Sequence, residues 1–98
     1  MANFIVLLED DPQRGAEIRR EHMPAHLAFL DRNAHAIRTA GPLSDGDGQP
    51  AGGLWLVEAG DLAEVEALTR EDPFWAAGLR SSVRVLAWRQ VFRDGKRL

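Results

Sequence analysis

The sequence predicts an α+β domain in which one four-stranded antiparallel sheet carries two helices on one face. Three observations predict it. Apolar runs of strand length alternate with helical patterns in the order β-α-β-β-α-β. The first strand-like run is apolar on both faces, so the sheet needs cover on both sides. The chain has 98 residues, enough for one hydrophobic core and too few for two, so residues 1–98 are read as a single domain.

Asn3–Glu9 reads as the first strand, with Phe4, Val6 and Leu8 on one face and Ile5 and Leu7 on the other. Glu9-Asp10-Asp11-Pro12 ends it. Gln13–Glu21 predicts one or two helical turns with Ile18 inward, and the main helix is expected from about Met23 to Asn33, with Pro24 as its first residue. On that helix Leu27, Leu30 and Ala34 form an apolar stripe, Phe29 and Ala25 lie to the other side, and His26 projects between Phe29 and Leu30. Ala36–Leu43 is the second strand, closed by Gly41-Pro42. Ser44–Gly53 reads as a loop from its four glycines and one proline in ten residues. Its Asp45-Gly46-Asp47-Gly48 resembles the start of a calcium loop, but the later ligands do not follow at the needed spacing. Leu54–Ala59 is the third strand. Asp61 and Glu64 form a capping pair for a helix whose buried stripe is Leu62, Val65 and Leu68. Asp72-Pro73 stops that helix and opens a short one, Pro73–Ala77, ended by Gly78. Ser82–Phe92 is the fourth strand, followed by a frayed tail.

This order is the split pattern of the ferredoxin-like fold. Both helices fall on one face of the sheet, and the other face is left apolar. Two sheets packed face to face would cover it, so a homodimer is expected.

Bulk properties narrow the classes. The chain contains no cysteine, which excludes disulfides, thiolate nucleophiles and thiolate-bound clusters. The apolar start lacks a basic leader and spans only Phe4 to Leu8, so no signal peptide or membrane segment is expected, and cytoplasmic residence is the default. Net charge is −3, unevenly spread. Residues 1–78 carry 6 basic and 14 acidic side chains, whereas residues 79–98 carry six basic ones against Asp94 alone. That edge either attracts a small anion or pairs with carboxylates on neighbouring strands. The acidic total argues against a nucleic-acid partner.

His26 is the residue from which a functional reading starts. A titratable ring aimed at the core must find a hydrogen-bond partner or line a cavity. Asp72 is the candidate partner: accepting from one imidazole nitrogen would fix the tautomer and free the other for proton transfer. Sequence alone leaves their separation open, and it also allows a core histidine bonded to backbone and an aspartate that only caps. His22 and His26, four apart, could supply two metal ligands on one face, but Pro24 between them and the lack of further ligands argue against a metal site. His35 reads as a solvated helix-end residue. Trp55, Trp75, Trp88, Phe74 and Phe92 could line an aromatic pocket or the core, and Trp75 is the best placed for a pocket wall because it neighbours Asp72. No glycine-rich phosphate loop joins a strand to a helix, so nucleotide binding of that type is not supported. No cofactor is called for.

Four stretches in register resemble the YciI-like (YCII-related) family. They are Pro24-Ala25-His26-Leu27 with Phe29-Leu30, then Thr39-Ala40-Gly41-Pro42-Leu43, then Asp72-Pro73-Phe74 with Ala76-Ala77-Gly78-Leu79, and a final apolar strand ending at Val91-Phe92. The resemblance implies a ferredoxin-like domain that pairs into a dimeric α/β barrel, and a His–Asp pair that falls on His26 and Asp72. Arg19 matches a basic position often seen upstream of the histidine. Met23 stands where arginine is frequent, and Ser44 where a proline commonly follows the Gly-Pro turn. The resemblance further implies kinship with enzyme-like members related to muconolactone-isomerase-type barrels, which act on small, often aromatic-derived compounds.

Two functions are therefore expected to compete. One is a small cofactor-free enzyme of isomerase, lyase or elimination type, with His26 as acid or base, Asp72 orienting it, and Arg19, Ser44, Trp75 and Arg80 around a small, anionic substrate. The other is a dimeric module that binds a small molecule without turning it over.

Overall fold

The first strand is one of the two central strands of the sheet, long, apolar on both faces and flanked by a partner on either side. The computed structural model describes residues 1–98, in the order β1 (Ala2–Asp10), α1 (Gly15–Arg32), β2 (Ile37–Ser44), β3 (Pro50–Ala59), α2 (Leu62–Glu71), α3 (Pro73–Ala76) and β4 (Arg80–Ala87), ending in two short strands, β5 (Phe92–Arg93) and β6 (Lys96–Arg97). The sheet order is β2-β3-β1-β4, antiparallel at each pairing. This is the ferredoxin-like arrangement expected from the element order.

Strand parity decides where the core lies. Phe4, Val6 and Leu8 of β1 point the same way as Trp55, Val57 and Ala59 of β3, and all are buried with Phe29 of α1 and Val65 of α2. Each large apolar side chain so buried contributes roughly 1.5–3 kcal/mol. A second, smaller cluster of Ile18, Phe74 and Leu79 joins α1 to α3, with Met23 and Ala77 packed against it. On the opposite face Ile5, Leu7, Leu54 and Leu56 are only half-buried and Leu86 is exposed. No element of the chain covers that face.

Helix α1 differs from the expectation. It is one continuous helix of 18 residues with Pro24 inside it, not a short turn followed by a helix starting at Pro24. The proline removes one hydrogen bond and costs about 3 kcal/mol. Burying Ile18 and Phe29 on the same inner face is worth about as much or more, so the helix runs through. Its inner face is also rotated: Ile18, His26 and Phe29 are buried, whereas Leu27 is 51% exposed and Ala34 is exposed too. The stripe expected through Leu27, Leu30 and Ala34 keeps only Leu30, which packs partly against the core.

Three further expectations are corrected. The loop expected over Ser44–Gly53 shrinks to residues 45–49, because β3 starts at Pro50 and pairs with Ser44. Asp45 closes the turn by accepting from the backbone N–H groups of Asp47 and Gln49 at 2.8 and 2.9 Å. On α2 the buried residues are Val65 and Thr69, while Leu62 is exposed. Thr69 satisfies its hydroxyl by donating to the Glu66 carbonyl at 2.6 Å. The fourth strand ends at Ala87, and the tail expected to fray forms a hairpin, with Phe92 opposite Arg97. Asp94 and Gly95 make it possible, because both adopt positive φ, 54° and 75°, as a two-residue hairpin turn requires.

Candidate active site

Asp72 does two jobs from one position. It ends α2 and caps α3, with φ −65° and ψ 130°, an extended conformation imposed on the residue before Pro73. Its Oδ1 accepts the backbone N–H of Phe74 at 3.0 Å, which is the capping bond. The same oxygen lies 2.9 Å from Nδ1 of His26. Both side chains are buried, Asp72 to 2% and His26 to 9% exposure.

Two elements bring the pair together. Because β1 and β3 are antiparallel, the helices that follow them run in opposite senses. Helix α3 then packs against α1 and turns Asp72 towards its middle. Gly78, at φ 82°, ends α3 by letting Leu79 N–H reach back to the Phe74 carbonyl at 3.0 Å. Leu79 is thereby seated in the cluster beneath the site.

The imidazole is held on its face as well as its edge. Phe74 stacks on His26 with ring centroids 4.2 Å apart and planes 21° from parallel. With Asp72 ionised and the ring neutral, the carboxylate can only accept, so Nδ1 would carry the proton and Nε2 the lone pair. Nε2 makes no hydrogen bond within the chain, and the His26 side chain keeps 9% exposure. An imidazole held this way can take or give one proton at Nε2.

Behind Phe74 lies a charged cluster that the sequence reading did not assemble. Arg19 Nε donates to Asp10 Oδ2 at 2.8 Å, and Arg80 Nη1 donates to Asp10 Oδ1 at 2.7 Å. Both guanidinium groups approach the Phe74 ring, at 5.7 and 5.3 Å from its centroid. The Arg80 side chain is 4% exposed and its Nε has no partner. Burial pushes Arg80 below the ordinary arginine value, and Asp10 beside it pulls the other way. Asp10 was the missed residue. Its signal was present: it continues the parity of Phe4, Val6 and Leu8, which aims a carboxylate inward. Of the two readings open for the basic C-terminal edge, Arg80 follows the second, pairing with a carboxylate on the adjacent strand β1.

The remaining residues singled out from the sequence lie apart from this network. Trp75 is 42% exposed and meets Asp72 only through its backbone N–H, which donates to the Asp72 carbonyl at 2.8 Å, while Ser44 at the end of β2 bonds neither His26 nor Asp72. Arg19 lines a cleft of about 670 Å³ with Asp10, Gly15, Pro50 and Gly52. His22 is part-exposed beside Glu21, and no group of three or more His, Cys, Asp or Glu residues is arranged to hold a metal ion. No helix is long and apolar enough to cross a membrane.

Comparison with known proteins identifies the family and the fold. Residues 2–89 match the YCII-related domain. The uncharacterized protein YjpA of Bacillus subtilis (strain 168) is 31% identical over 78 residues, spanning 78% of this chain and 86% of the relative. A solved structure of 5-chloro-2-hydroxyhydroquinone dehydrochlorinase (TftG) from Burkholderia phenoliruptrix AC1100, in complex with 2,5-dihydroxybenzoquinone, superposes with a TM-score of 0.79. It is 28% identical, covering 90% of this chain and 94% of that one. A dimeric protein of unknown function and ferredoxin-like fold from Bacteroides fragilis shares the fold at 15% identity, with a TM-score of 0.51 over 91% of this chain and 95% of that one. With the domain matched along nearly its whole length and a curated relative above 30% identity, this chain belongs to the YCII-related domain family.

Proposed function

We propose that the protein is a small-molecule enzyme that moves protons on a hydroxylated, aromatic-derived compound, with His26 as acid–base and Asp72 as its orienter. The observation that carries this reading is the 2.9 Å contact between Nδ1 and Oδ1, which leaves Nε2 as the exchanging atom. The likeness to a dehydrochlorinase supports the substrate class. In the elimination form, one ring hydroxyl tautomerises to a carbonyl and its proton ends on the halogen-bearing carbon. A second hydroxyl, conjugated with that carbon, gives its proton to Nε2. A second carbonyl closes, and halide leaves with the bonding electron pair. The ring loses HX overall, so neither an oxidant nor a reductant is consumed. Isomerisation would use the same two proton movements without a leaving group.

Arg19, at the rim of the cleft beside Asp10, is the residue we assign to holding an anionic substituent. Trp75 would flank an entering ring. Ser44 has no contact that supports a role. The apolar face of Ile5, Leu7, Leu54, Leu56 and Leu86 is the surface we assign to a second copy, giving a dimeric α/β barrel built from one domain per chain.

The test is release of chloride from 5-chloro-2-hydroxyhydroquinone, followed with an ion-selective electrode. Turnover is expected in the wild type, with a loss of roughly 10²–10⁴-fold in His26→Gln. Turnover unchanged in that variant removes the mechanism.

The near closure of His26 favours one second reading, a module that holds a ligand without reaction. Under it, 2,5-dihydroxybenzoquinone would perturb the His26 ring resonances while no substrate of this class is consumed.

A further inference from the structure

We infer that Arg80, fixed by Asp10, is a positioning residue that tunes the proton affinity of His26 from behind the stacked Phe74 ring. The inference rests on His26 being the group that exchanges a proton, but its test needs no substrate.

Arg80 is buried at a cost that the fold alone does not explain. A guanidinium with 4% side-chain exposure and an unpartnered Nε is costly to bury. A neutral residue at the start of β4 would fill the same volume more cheaply. Arg80 is nevertheless held by one short hydrogen bond to Asp10, and Asp10 is held in turn by Arg19. The guanidinium sits 5.3 Å from the centroid of Phe74, and that ring is stacked 4.2 Å from His26. It also feels the Asp72 carboxylate.

The charges around His26 can be named element by element. Its own helix supplies Arg19, paired with Asp10, and the part-exposed His22. The junction of α2 and α3 supplies Asp72, with Glu71 next to it in solvent. Strand β1 supplies Asp10 and β4 supplies Arg80. Arg19, Asp10, Arg80 and Asp72 sum to zero, so the site is neutral with a neutral imidazole and gains one positive charge when His26 is protonated. Arg80 opposes that gain directly, and it draws on the carboxylate that would otherwise favour the imidazolium. Asp10 moderates Arg80. The pair therefore weighs against a positive charge on the imidazole, and it favours a substrate whose proton transfers to Nε2 to leave an anion beside the new imidazolium.

The experiment is NMR titration of His26 in the intact protein. Arg80→Met is expected to move the midpoint upward by roughly half to one pH unit, with Arg80→Lys returning it towards wild type. Asp10→Asn is expected to move it downward, because Arg80 loses its counter-charge. A residue that only fills space would shift neither. If Arg80→Met does not fold, the Asp10→Asn and Arg80→Lys titrations still decide the matter. Midpoints at the wild-type value in folded Arg80→Met, or in Asp10→Asn, overturn the inference. Loss of chloride release with these shifts intact would instead count against the substrate reading alone.

Discussion

The Nδ1 atom of His26 and the Oδ1 atom of Asp72 lie 2.9 Å apart across 46 positions of sequence, and the same oxygen caps α3 through the Phe74 N–H at 3.0 Å. One carboxylate therefore fixes both the tautomer of the histidine and the start of the helix that carries its stacking partner. Orientation of the ring and folding of α3 are coupled through a single atom.

That coupling separates two substitutions. Asp72→Asn keeps an oxygen for the cap but removes the charge facing the imidazole. It should lower turnover roughly 10²-fold or more, with a stability loss of about 1 kcal/mol. Asp72→Ala loses the cap as well and should cost roughly 1 kcal/mol further. Urea denaturation beside chloride-release kinetics checks the split.

Phe74 is fully buried and stacked on the imidazole. Phe74→Leu keeps an apolar filler but removes the flat face, at an expected cost of about 1–2 kcal/mol. Turnover should fall by about tenfold, because the ring is freed to tilt. A variant with wild-type kinetics would show that the stack packs but does not position.

At Gly52 the backbone has φ 92°, and an added Cβ would lie 1.9 Å from the Leu8 carbonyl oxygen. That contact is with backbone of the central strand, so no side chain can swing aside. Gly52→Ala should destabilise the fold by about 3 kcal/mol or more, read as a drop in melting temperature. Gly46, with open space around it, is the control and should tolerate alanine.

Asp11 accepts the backbone N–H groups of Gln13 and Arg14 at 2.8 and 2.7 Å, and these bonds hold its carboxyl below the ordinary value of 3.8. A lowered folded-state value means the stabilisation is fully present above the unfolded pKa. It is lost as pH falls through the lower, folded one. The acid limb of the stability curve below about pH 4 should therefore flatten in Asp11→Asn. Thermal melts between pH 2 and 6 provide the check.

Light scattering at micromolar concentration should give a particle near twice the 10.9 kDa chain mass, since the face carrying Leu7, Leu54 and Leu86 has no cover within the chain. Leu86→Glu should shift it towards monomer, because a carboxylate would then stand unpaired on the apolar face that a second copy would cover.

The fold was legible in the sequence because strand parity and helix caps are local. Phe4, Val6 and Leu8 alternate as a pleat requires, and Asp61 caps α2 by accepting the Glu64 N–H at 2.9 Å. Asp72, Pro73 and Gly78 likewise bracket a short helix by rules that reach only a few residues. Where local rules met a competing long-range term they misled. Pro24 read as a helix start, yet packing of Ile18 on one side and Phe29 on the other carries the helix through it. Leu27 read as core, but the face that meets α3 is the one bearing His26.

What the residues by themselves determined is the order of elements, an unpaired apolar sheet face and an inward-facing histidine. What only the tertiary structure decided is which charges that histidine meets. Asp72 arrives from the end of α2, Arg80 from β4 and Asp10 from β1, and each is placed by the packing of whole elements. Their separations depend on how far helices and strands are offset in space, and no periodicity along the chain encodes that offset.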